Sequence, residues 1–82
     1  MFAILMKDVD GRRHDRYFRE FMNAEKTMMQ EVKDVTDHYG CAERTSIDEM
    51  NTSKGIYERE EKITDNEGHK YHWAIIGGYF CD

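Results

Sequence analysis

Arg13–Tyr39, RHDRYFREFMNAEKTMMQEVKDVTDHY, carries the pattern on which the fold turns. Steps of three and four from Phe18 reach Phe21, Glu25, Met28, Val32, Val35 and Tyr39, and Glu25 is the one polar position among them. That spacing predicts an amphipathic helix burying one side, with Tyr17, Met22 and Met29 widening its stripe. No proline interrupts the run, and Gly40 follows where a glycine cap is wanted. A helix over all of Arg13–Tyr39 would be roughly 40 Å long, against about 20 Å for a six-residue strand. It must then overhang its sheet, break near Asn23–Glu25, or be covered by another molecule.

Working outward, Phe2-Ala3-Ile4-Leu5-Met6 is apolar on both alternations and reads as an interior strand. Lys7-Asp8-Val9-Asp10-Gly11 reads as a turn in which Gly11 is free to take a positive φ. Asp8, Asp10 or Asp15 could cap the helix, whereas Arg12, Arg13, Arg16 and Arg19 oppose its dipole at that end. Beyond the helix, Ser46-Ile47-Asp48-Glu49 fits both a capping box and an edge strand, so residues 43–53 stay open between short helix and strand.

Ile56 to Thr64, the turn residues Asp65-Asn66-Glu67-Gly68, and Lys70 to Ile76 predict a β-hairpin. If Ile63 lies opposite Tyr71, Glu61 faces Trp73 and Arg59 faces Ile75; a one-residue slip would swap which residues cover the core, and the sequence leaves the register open. Gly77-Gly78 would bend or end the strand, leaving Tyr79-Phe80-Cys81 as a last apolar patch. The expected architecture is one α+β domain over 1–82: an antiparallel sheet of three to four strands with the long helix across it, in the order β-α-(β or short α)-β-β.

The chain has 82 residues, 35% of them charged, and a formal net charge of −5. The size allows one core, the aromatic content argues against disorder, and the negative balance argues against general nucleic-acid binding. Lys7–Arg19 holds five bases and three acids, while Glu43–Glu67 holds eight acids and four bases. Two cysteines, Cys41 and Cys81, form neither a disulfide framework nor a zinc pattern, and no apolar run approaches a membrane span. A reduced, cytoplasmic setting is expected.

Chemistry-bearing patterns are sparse. His69 and His72 on one strand would point to opposite faces, and His14 and His38 would sit far apart on one helix, so no metal set forms. Cys41 beside His38 is the local nucleophile–base pairing; Cys81, Ser46 and Ser53 have no base nearby in sequence. No catalysis and no cofactor are expected. The acidic group Glu58, Glu60, Glu61, Asp65 and Glu67, with Tyr57 or Tyr79 as an aromatic anchor, suggests a binding module that imitates a phosphate backbone. Its partner would be a protein with a basic nucleic-acid-binding surface, as for a phage or mobile-element inhibitor of a host defence nuclease. Charge that merely protects an edge strand gives the same pattern. Two alternatives remain: a nucleotide or other anion held by Arg12, Arg13, Arg16 and Arg19, and a structural homodimer pairing through Met22, Met28 and Met29.

Overall fold

Asp10-Gly11 decides the first half of the fold. Asp10 (φ 51°) and Gly11 (φ 88°) both take positive φ, the requirement of a two-residue hairpin turn, and Gly11 N–H donates to Asp8 Oδ1 at 2.9 Å. The chain therefore reverses and Arg12–Phe18 (β2) pairs antiparallel with Phe2–Val9 (β1). The computed structural model describes the backbone of residues 2–51 and 56–78 and the side chains of 3–47 and 59–77. Ser53, Lys54-Gly55 and Tyr79-Phe80-Cys81 lie outside the described residues.

The expected helix start at Arg13 is thus wrong. Helix α1 spans Phe21–Tyr39. Tyr17 and Phe18 continue the apolar spacing of the helix by coincidence; on β2 they point to opposite sides, Tyr17 76% exposed and Phe18 packed at the core margin. Asp8, Asp10 and Asp15 do not cap the helix; Glu20 stands at the N-cap without a side-chain bond. Nineteen residues give roughly 28 Å, which matches a nine-residue strand, so the overhang disappears. Glu25 marks no break, because its carboxylate pairs with Arg59.

Of the stretch left open between helix and strand, Glu43–Asn51 is strand (β3), followed by Ile56–Thr64 (β4) and Lys70–Gly78 (β5). Among the described residues the sheet has five antiparallel strands, one more than the upper expectation, in the order β2-β1-β5-β4-β3. Ile63 pairs with Tyr71, Glu61 with Trp73 and Arg59 with Ile75, which fixes the register the sequence leaves open. β1 lies inside the sheet as expected, with the extra hairpin strand beyond it.

α1 lies across β1, β5 and β2. Ala24, Met28, Val32 and Val35 on its inner side pack against Ala3, Leu5, Ile63, Trp73 and Ile75. The helix stops at Gly40, whose φ of 81° and ψ of −177° form a backbone state that glycine alone adopts readily. A Cβ there would stand 2.0 Å from Asn66 Nδ2, and Asn66 N–H donates to the Tyr39 carbonyl at 3.2 Å.

Met28→Ala is expected to cost about 2–5 kcal/mol in urea unfolding, since a fully buried side chain leaves a cavity. Met22→Ala, at a position 62% exposed, should stay within about 0.5 kcal/mol. Equal effects would refute the helix orientation. Gly40→Ala should cost about 1–3 kcal/mol through its backbone conformation, more if Asn66 cannot yield.

Candidate functional site

The acidic hairpin does not form a single row of carboxylates. Strand alternation sends Glu60 and Glu61 to opposite faces of β4. Glu61 is buried on the helix side, where its carboxylate accepts from Ser46 Oγ at 2.6 Å and from Arg44 Nε at 3.2 Å, with Arg59 Nη2 at 3.5 Å. Burial pushes its pKa up, but the Ser46 and Arg44 hydrogen bonds and the two guanidinium charges outweigh that and hold it below the usual carboxylate value.

Asp65 is buried as well, and it organises the β4–β5 turn. Oδ1 accepts the amides of Glu67 (2.8 Å) and His69 (3.0 Å), and Oδ2 accepts the Tyr71 hydroxyl at 2.9 Å. Desolvation raises its pKa, yet these hydrogen bonds win and lower it; burial and the same carboxylate push Tyr71 up to about 12. Glu60 and Glu67 remain nearer solvent, 3.6 Å from His72 Nε2 and 3.7 Å from His69 Nε2 respectively. Glu58 stands in register with Glu49 and Ile76, and Tyr57 with Met50 and Gly77; their side chains lie outside the described residues.

The arginines separate too, and none opens the helix. Arg12 and Arg13 lie on β2, and Arg13 is held by Asp15 at 2.9 and 3.1 Å. Arg16 makes a two-pronged pair with Glu31 of α1 at 2.8 and 2.7 Å. Arg19 occupies the bend before the helix. The anion cradle proposed at a helix start is therefore not assembled. Met28, offered for helix pairing, is fully buried, which removes it from any dimer surface.

His14 is on β2 and not on the helix with His38. His38 Nδ1 bonds to the Asp34 carbonyl at 2.7 Å and Cys41 Sγ donates to the Glu43 carbonyl at 3.4 Å. Among the described residues, no three His, Cys, Asp or Glu side chains gather as a metal-holding group. No helix among them is long and apolar enough to cross a membrane.

What the sequence reading missed is the face of the sheet opposite α1. Register places Tyr17, Ile4 and Ile76 in one cross-strand row, and Asp15, Met6, Ala74, Glu60 and Ile47 in the next. Tyr17, Ile76 (42%) and Ile47 (37%) are exposed, and Ile4 and Met6 are half-buried, with no helix over them among the described residues. A third row, Arg13, Asp8, His72, Lys62 and Thr45, borders this apolar strip with alternating charge. Between the rows is a shallow hollow of about 220 Å³ flanked by Met6, Glu60, His72 and Ala74. His72 Nε2 is shut from solvent there without a hydrogen-bond partner. The signal was present in β1, apolar on both alternations, which promises apolar surface on both sides of the sheet. Comparison of the chain with protein-family models, curated proteins and solved structures finds no match.

Carboxylates whose folded pKa lies below the unfolded value contribute stability that is complete above the unfolded pKa and lost as pH falls through the folded one. Glu61, Asp65 and Glu31 all shift down. Stability is therefore expected to fall from about pH 5 toward pH 2, and Glu61→Gln should flatten that slope in urea melts. Removing the Glu61 carboxylate should cost about 1–3 kcal/mol at pH 7, discounted for the partly exposed Arg44. An unchanged slope in Glu61→Gln would refute its ionised role.

Proposed function

We propose that this chain is a non-catalytic module that binds another protein, through the open face of its sheet rather than through a row of acids. The observation that supports it is the Tyr17–Ile4–Ile76 row on the face without a helix. Tyrosine and isoleucine side chains standing in water on a flat, strand-built surface are the material of a protein interface: large contact area at small cost in side-chain entropy.

The net charge of −5 and the acids Glu60 and Glu67 support a preference for a basic partner, including a nucleic-acid-binding protein of the kind a phage or mobile-element inhibitor would block. In this reading they steer approach and border the contact, because Glu61 and Asp65 are engaged inside the fold. A reducing, cytoplasmic setting accords with Cys41 as an exposed free thiol.

The test is affinity capture of the tagged protein from its native host, repeated with Tyr17→Ser/Ile76→Thr and with Glu60→Lys/Glu67→Lys. The face variant is expected to lose the captured protein at all salt concentrations while keeping the native circular dichroism spectrum. The charge variant should weaken capture chiefly at low salt. Full retention by the face variant, or no protein captured by the wild type, would overturn the reading.

A further inference from the structure

Among the described residues the sheet has two free edges, and they differ in a way that points to a second copy of this chain. We propose that β3 is a dimer edge, pairing antiparallel with β3 of a second copy about a two-fold axis through Ile47 to give a continuous ten-stranded sheet. This inference is independent of the open-face reading.

β3 runs nine residues in unbroken register with β4, contains no proline, and has no strand on its outer side among the described residues. α1 lies over β1, β5 and β2, so the helix does not shield this edge. Residues 43–47 are all exposed. Such an edge presents unpaired backbone donors and acceptors, which proteins normally protect.

Self-pairing has few permitted registers. A two-fold axis perpendicular to the sheet keeps the helices of both copies on one face and must pass through a residue. Centred on Ile47, it sets Ile47 opposite itself, Ser46 opposite Asp48, Thr45 opposite Glu49, Arg44 opposite Met50 and Glu43 opposite Asn51. No like charges meet, and an isoleucine that is 37% exposed gains an apolar neighbour. One residue earlier, Glu43 meets Glu49; one residue later, Asp48 meets itself.

The other edge fails the same test. Centred on Asp15, β2 would pair Asp15 with itself and His14 with Arg16; on His14, Arg12 with Arg16; on Arg13 or Arg16, that arginine with itself. A centre on Tyr17 avoids like charges but leaves only residues 16–18 of the strand in the ladder. Pairing β2 with β3 of another copy would bring opposite charges together, but Arg13 and Arg16 are already held by Asp15 and Glu31. That arrangement is also head-to-tail, giving a ring or a filament, whereas the β3 pair ends with two subunits.

Sedimentation velocity over about a hundredfold concentration range should show a monomer–dimer equilibrium, shifted to monomer by Ile47→Lys, which sets two ammonium groups face to face. Oxidative cross-linking tests the register and stays informative if that variant folds poorly. In a Cys41→Ser/Cys81→Ser background, Ile47→Cys should give a disulfide-linked dimer, because directly opposed strand residues have Cα atoms about 4.5–5.5 Å apart. Thr45→Cys should not, since its two copies would stand about 13 Å apart along the strands. A wild type that is monomeric throughout, a species that keeps growing with concentration, or linkage through position 45 in place of 47 would each overturn the proposal.

Discussion

Glu31 is where the parts of this fold are held together. From the middle of α1 its carboxylate receives both guanidinium nitrogens of Arg16 on β2, the indole N–H of Trp73 on β5 at 3.1 Å and, at 3.6 Å, the ammonium of Lys7 on β1. Lys7 in turn lies 5.6 Å from the centre of the Trp73 ring. Burial works against the ionised group, and the donors around it prevail. Trp73 can be fully buried because its one polar atom has this acceptor, and Arg16 belongs to β2 because only a strand there delivers it to the helix.

The same economy runs through the second polar cluster. Arg44, Ser46, Glu61 and Arg59 connect β3 to β4, and Arg59 continues to Glu25 on the helix. Part of the charge is therefore internal: Glu61 and Asp65 are buried, and Arg16, Glu25, Glu31 and Arg59 are half-buried in the pairs that join the elements. Reading Glu58–Glu67 as an external acidic surface overlooked the alternation that turns Glu61 inward and the turn that encloses Asp65.

Some of this was readable and some was not. The β4–β5 hairpin was readable from its alternation and its turn residues, but its register was not. A one-residue slip gives an equally regular ladder with a different set of residues on the core face; the structure supplies the register, with Ile63 opposite Tyr71. Helix α1 was readable from Phe21 onward by the spacing of its apolar positions. Its start was not, since Tyr17 and Phe18 extend the stripe by coincidence and the decisive signal was the Asp10-Gly11 pair, read as a turn but not as a hairpin. β3 was ambiguous because exposed residues on both sides carry no apolar period; its backbone pairing with β4 makes it a strand. The partners of Glu61 come from β3, distant in sequence, and no local pattern announces them. The open face could be inferred only once it was known that a single helix covers the other.

The central pairing of β1 with β5 has a consequence for how the fold is assembled. Its partners are separated by 62 to 76 positions along the chain, whereas every other strand pair is joined by a short connection. Closing so long a loop costs about 3–4 kcal/mol before any contact repays it. The molecule is thus two locally wired halves, β1–β2–α1 and the β3–β4–β5 meander, stitched along one seam by ladder bonds, Trp73–Glu31, Arg59–Glu25 and Asp10–Lys70. Each half ends in an unpaired interior strand that is the template for the other. A chain severed between Gly40 and Glu43 retains all the information for reassembly, with the two fragments acting as each other's ligand.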